Sequence, residues 1–205
     1  GTFLIHDAQF DKAEATFKSL GLDALVAIPS VSLVMDIADL FGANGIYANP
    51  RSRGDAWERL ASMELIYPDG SAGFATSCGL EIHGNTSRTR GNPKHSMRVT
   101  FKAAYGPSTL SFPLFPGSSV TEHKSLVFRT GWQDGWQHAR GHALYLRDQF
   151  ANDTQRALGQ VDMHGFFVHL YLNGLDWGVY QLHERATEEF AALHYGGDPD
   201  DWDVM

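Results

Sequence analysis

A chain of 205 residues with 43% apolar residues is long enough and apolar enough to bury its own core, which excludes a disordered or low-complexity chain. A net charge of -8 argues against a general nucleic-acid binder, because phosphate backbones select for lysine and arginine, yet one nucleotide needs only a local positive site. The lone Cys78 cannot form an internal disulfide and reads as a small buried hydrophobe, and no apolar run approaches the ~18 residues of a membrane span.

From the N-terminus, Asp7 to Leu20 reads as a helix, with Phe10, Ala13, Phe17 and Leu20 on one face and Gly21 after the last turn. Neither a charged-then-apolar leader nor an initiating Met is present at Gly1, and both ends read as cuts in a longer polypeptide. Val31 to Met35 is a strand after Pro29. The segment from Asn44 to Arg59, rich in Gly, Asn, Arg and Pro, reads as a long loop. Met63 to Tyr67 and Phe74 to Ile82 are strands joined by a Pro68-Asp69-Gly70 turn. A polar loop from Gly84 to Pro93 precedes a half-buried strand from Ser96 to Phe101, and Thr109 to Phe112 and Leu126 to Phe128 are two more short strands.

Gln137 to Leu158 reads as the main helix, closed by Gly159. The strongest local signal follows it. Phe166 to Leu172 is an apolar β run, Asn173-Gly174 suits a type I′ turn, and Trp177 to Leu182 is the return strand. Ala186 to His194 is a short helix, and an acidic stretch from Asp198 to Asp203 ends the chain. This order predicts an α+β fold, a mostly antiparallel sheet with one long helix packed on it.

Several residues could carry chemistry. The Gly84-Asn85-Thr86-Ser87 loop offers backbone N–H groups and hydroxyls to an anion, and Arg88, Arg90 and Lys94 add positive charge. The pattern is neither a Walker A loop nor GxGxxG, and an ordinary solvated hairpin loop explains it as well. Ten histidines invite a metal reading. His138 and His142 stand four apart on the predicted helix, but no Cys or HExxH accompanies them, so surface or capping histidines are the simpler account. His164, His169 and His183 lie on or beside the late hairpin, where structural roles are common. Asp148 reads as exposed or helix-paired. Glu184 ends a core strand, where either a ligand or an arginine partner is expected. The Asp200-Asp201-Trp202-Asp203 cluster reads as a solvated tail before it reads as a cation site. Trp132, Trp136 and Trp177 read as packing residues, with base stacking the alternative.

Taken in order, four of these strings resemble one family. Gly84-Asn85-Thr86-Ser87-Arg88 followed by Pro93-Lys94-His95-Ser96-Met97-Arg98-Val99-Thr100-Phe101 is similar to a signature of CotH-like spore-coat kinases. Leu146-Arg147-Asp148 resembles the opening of their helix motif. Tyr171 to Gly174 with Trp177 to Glu184 resembles their YLNG and WGxYxLxE strings, and Gly45 to Asn49 with Trp57-Glu58-Arg59 resembles a variant in large, exported bacterial members. The resemblance spans roughly Ile28 to Val204.

The Asp7–Leu20 helix makes residues 1–27 a helical lead-in, and the resemblance implies the N-terminal portion of a divergent protein-kinase-like domain over 28–205. It also implies transfer of phosphate from ATP, with Mg²⁺, to Ser or Thr of a protein. On this reading Lys94 contacts phosphate, helped by Arg88 and the Gly84-Asn85 backbone, with Glu184 near the lysine or the nucleotide. No catalytic residue and no metal ligand is assigned. His83 stands where the family usually has arginine. The family's catalytic Asp, its companion Asn and a later metal-binding Asp are expected beyond residue 205, so little kinase activity is expected from these 205 residues alone. The expected partners are a protein substrate or an envelope protein, with self-association through an apolar face left uncovered, in an extracellular or cell-envelope setting. The alternative is a non-catalytic partner-binding or structural module of a large exported bacterial protein.

Overall fold

The computed structural model describes residues 26–204, so the predicted Asp7 to Leu20 helix lies outside the described residues. Nine strands form: β1 (Ser30–Met35), β2 (Arg59–Ile66), β3 (Phe74–Ile82), β4 (Met97–Thr100), β5 (Leu110–Ser111), β6 (Glu122–His123), β7 (Ser125–Arg129), β8 (Gly165–Leu172) and β9 (Leu175–His183). Four short α-helices accompany them: α1 (Ile37–Phe41), α2 (Trp136–Ala139), α3 (Arg147–Ala157) and α4 (Glu188–Tyr195). Seven strands close into a barrel in the order β1-β2-β3-β4-β7-β9-β8, while β5 and β6 pair separately. Every neighbouring pair in the barrel is antiparallel except β1 with β8, whose parallel register runs from Ser30 opposite His169 to Leu33 opposite Leu172 and closes the ring.

Two-residue periodicity accounts for the barrel. Along β2, Ala61, Met63 and Leu65 point inward while Leu60, Ser62, Glu64 and Ile66 are exposed. Val31 and Leu33, Cys78 and Leu80, Met97 and Val99, Leu126 and Phe128, Val168 and Leu170, and Tyr180 and Leu182 supply the other inward positions, and together they fill the interior. Closure pairs the edge N–H and C=O groups that an open sheet would leave bare. The hairpin turn is as expected: Asn173 and Gly174 both have positive φ, 49° and 81°. Asn173 also accepts from Met35 N at 2.8 Å and donates to Met35 O at 3.0 Å, which ties this turn to the end of β1.

The expected sheet carrying one long helix is not what forms. The predicted helix from Gln137 to Leu158 breaks into α2, a 3-10 turn at Arg140–His142, an irregular bend, and α3. The buried Asp134 carboxylate causes the break, since it accepts from Leu144 N and Arg147 N, each at 3.2 Å, and holds the intervening residues out of helix. Tyr145 sits at φ 61°, outside helical space. None of the residues of α3 is buried, so this helix does not cover a sheet. The segment after β1 is also more ordered than a loop. Asp36 caps α1 by accepting from Ala38 N at 2.7 Å, and Leu40 and Ile46 plug into the core.

Candidate functional site

The motif segments meet at one end of the barrel. Gly45–Asn49 brings Tyr47, the loop before β4 brings Lys94 and His95, and β9 brings Trp177 to Tyr180. Tyr47 packs on His95 at 5.2 Å and edge-on to Trp177 at 5.6 Å between ring centroids. Trp177 Nε1 donates to Tyr47 Oη at 2.6 Å, and Tyr180 Oη donates to the His95 carbonyl at 3.0 Å. Burial raises the pKa of both phenols, so they remain protonated donors. Trp177 is thus a packing residue with a fixed polar handle.

This aromatic frame holds Lys94. Its Nζ donates to the Val179 carbonyl at 2.7 Å and lies 4.4 Å from the centroid of the Tyr180 ring. Burial lowers its pKa to about 8, partly opposed by the charge of Asp176. Among the described residues, no carboxylate forms an ion pair with it. Gly178 permits the approach: it has φ +87°, and a Cβ there would lie 3.3 Å from Nζ.

Lys94 borders a cleft of about 500 Å³ lined by Arg129, Thr130, Asp134, Asp148, Phe167 and Gln181, among others. Its two carboxylates are already paired. Asp148, in the first turn of α3, binds Arg129, and Asp134 binds Arg147 at 3.0 Å. Sequence reading missed Arg129, Asp134 and Gln181. Arg129 ends a strand two residues before Gly131, which is the only signal it left.

The Gly84 loop lines a different cavity of about 200 Å³, together with His83, Asn85, Thr86, Ser87, Trp132 and His183. Arg129 borders both spaces, so the loop and Lys94 are neighbours across an arginine and do not share one pocket. Gly84 has φ +104°, and a Cβ there would come within 2.5 Å of Ser87 Oγ. Asn85 accepts from Arg53 at 3.0 Å. Burial, aided by Arg185, Arg98 and Arg88, lowers the His83 pKa to about 4, so this side chain is neutral.

Two of the expected phosphate-site residues lie elsewhere. Arg88 is buried, and its guanidinium donates to the carbonyls of Ser52 (2.8 Å), Pro50 (3.5 Å) and Ile82. It staples the loop from Gly84 to the segment before β2. Glu184 borders neither cavity. Its carboxylate accepts from His164 N at 2.8 Å, His164 Nδ1 at 2.9 Å and His194 Nε2 at 3.0 Å. Burial pushes its pKa up, but these hydrogen bonds outweigh burial and hold it below the ordinary carboxylate value.

The remaining candidates are structural. His138 stacks on Trp132 at 4.6 Å, and the helix ends at Ala139, so His138 and His142 do not share a helical face. Asp198 and Asp201 form a capping box around the 3-10 turn at Pro199–Asp201. Among the described residues, no helix is long and apolar enough to cross a membrane.

No curated protein matches the chain. A family model described as CotH kinase protein matches residues 80–204, from within β3 to the end of the described residues, and so takes in Lys94, its cleft and the β8–β9 hairpin. That match covers more than half of the sequence, and the chain belongs to the CotH kinase family.

Proposed function

We propose that this chain binds the phosphate tail of ATP at Lys94 and that it serves a kinase acting on Ser or Thr of a protein, in an extracellular or envelope setting. The observation that carries this reading is a desolvated ammonium, unpaired by any described carboxylate, on the wall of a cleft of about 500 Å³. A cleft of that volume falls in the range of small-molecule sites, and a lysine without a carboxylate partner on its wall suits an anion. A phosphate oxygen accepting from Nζ would restore the charge that burial disfavours. Lys94 then orients the phosphates and offsets their charge, which is most of what phosphoryl transfer asks of a protein.

The fit differs for the two groups that the family implies. Lys94 suits phosphate, while Arg129 is already held by Asp148. Magnesium prefers oxygen ligands, but Asp134 and Asp148, the cleft's carboxylates, are each ion-paired to an arginine. The cleft therefore fits the nucleotide's anionic end and not a dedicated magnesium cage.

The test is calorimetric titration of the chain with ATP, with and without Mg²⁺, alongside Lys94→Ala and the control Lys124→Ala. Binding that Lys94→Ala loses and Lys124→Ala keeps is the expected result. Absence of binding by the unmutated chain removes the nucleotide reading.

A second reading, a partner-binding module, is favoured by the apolar residues around α3. Leu144, Leu146, Phe150 and Leu158 are all exposed there, and exposed apolar residues close in sequence favour protein contact. Self-association at micromolar concentration that Phe150→Asp abolishes would support it.

A further inference from the structure

The open end of the β8–β9 hairpin carries a cluster that the nucleotide reading leaves unused. His164 precedes β8, Glu184 follows β9, and His194 lies in the last turn of α4. The Glu184 carboxylate sits between the two imidazoles, which are nearly parallel, 8° apart in plane with centroids at 5.8 Å. The three side chains are 14%, 4% and 9% exposed, and one ligand atom from each lies within 4.8 Å of the others. A fourth histidine, His123 of β6, borders a small cavity together with Glu184. Its Nε2 is buried with no hydrogen-bond partner among the described residues.

We propose that His164 Nδ1, the Glu184 carboxylate and His194 Nε2 bind a zinc-class divalent cation that clips α4 to the barrel, with His123 supplying the fourth position from the adjoining cavity. Two or three imidazoles with one carboxylate form a donor set for zinc, cobalt or nickel, whereas magnesium and calcium take oxygen ligands. Tetrahedral zinc places neighbouring ligand atoms about 3.4 Å apart. The observed 2.9 and 3.0 Å separations therefore open by roughly 0.4–0.5 Å to admit the ion. Each ring nitrogen that now donates to Glu184 ligates the ion through its lone pair, with the imidazole proton carried on the other ring nitrogen. Near-complete burial of all three side chains gives this site the closed character of structural zinc.

The test strips the whole chain with chelator and titrates it separately with ZnCl₂, CoCl₂ and MgCl₂. One equivalent of zinc retained after desalting, a rise in Tm with zinc but not with magnesium, and the intense visible absorption of tetrahedral cobalt are expected. His194→Ala and Glu184→Gln should each weaken zinc binding by more than ~100-fold, beyond the loss typical of groups that only orient a ligand. His123→Ala should weaken binding and redden or flatten the cobalt spectrum. The exposed pair His138→Ala/His142→Ala should bind as the unmutated chain does. Because Glu184→Gln can unfold, the cobalt spectrum of the unmutated chain stands as an independent readout. Absence of stoichiometric zinc in the unmutated chain overturns the proposal, as does zinc uptake that survives His194→Ala or disappears with the His138/His142 double variant. ATP takes no part in the measurement, so its outcome is separate from that of the Lys94 cleft.

Discussion

Replacing Lys94 with Met tests the frame and the electrostatics of the cleft together. Burial lowers the Lys94 pKa from 10.5 to about 8, so between those pH values the unfolded chain binds a proton that the folded chain has released. Stability from this group is therefore fully present above about pH 10.5 and is lost as pH falls through about 8. At about 1.4 kcal/mol per pH unit, and discounted because the side chain is only half-buried, the swing is about 2–3 kcal/mol. Met keeps the length and apolar character of the stem but cannot titrate. Urea unfolding of both proteins from pH 7 to 10.5 should show the unmutated chain gaining about 2–3 kcal/mol over Lys94→Met across that range. Every other titrating group is common to both proteins and cancels. A stability difference that stays flat with pH would refute the claim that the ammonium is desolvated. ATP affinity adds a second arm. It should fall by about 10- to 30-fold in the unmutated chain between pH 7 and 9.5, the most that deprotonation at about pH 8 allows over that range, and should be weak and independent of pH in Lys94→Met.

Other expectations follow from the same geometry. Gly178→Ala places a side chain at φ +87° and a Cβ 3.3 Å from Lys94 Nζ, so it should cost about 1–2 kcal/mol by chemical denaturation and weaken ATP binding in parallel. Arg88→Met strands the buried carbonyl of Ile82 and removes the bond to Ser52, and it should destabilise the chain by about 2–3 kcal/mol while leaving ATP affinity in the surviving fold unchanged. Trp177→Phe loses the 2.6 Å bond to Tyr47 and should lower stability by about 1 kcal/mol, read by urea unfolding. Cys78 is fully buried, with its pKa pushed up to about 12 chiefly by burial, so a thiol reagent at pH 8 should label it only once denaturant unfolds the barrel.

Sequence by itself determined the hairpin turn and every described strand except β6, though not all their bounds. Alternation along Ser96–Phe101 placed β4, the Pro68-Asp69-Gly70 turn separated β2 from β3, and Asn173-Gly174 between apolar runs placed the β8–β9 turn, because side-chain period and turn chemistry are local properties of the backbone. Ordered motifs also carried the family resemblance and pointed to Lys94. Tertiary structure alone decided the rest. Barrel closure rests on β1 running parallel to β8 across more than a hundred residues, a pairing that no local pattern encodes. The helix expected over Gln137–Leu158 had the right composition, but the Asp134 carboxylate captured two of its N–H groups and ended it. Positive charge near Gly84 could be counted in advance, yet only packing turned Arg88 onto buried carbonyls and left Lys94 facing a cleft. His164, Glu184 and His194 were each visible as letters, and a thirty-residue stretch had to fold back before one carboxylate stood between two imidazoles. Hydrogen-bond partners and burial set what a charged side chain does, and both are properties of the assembled fold.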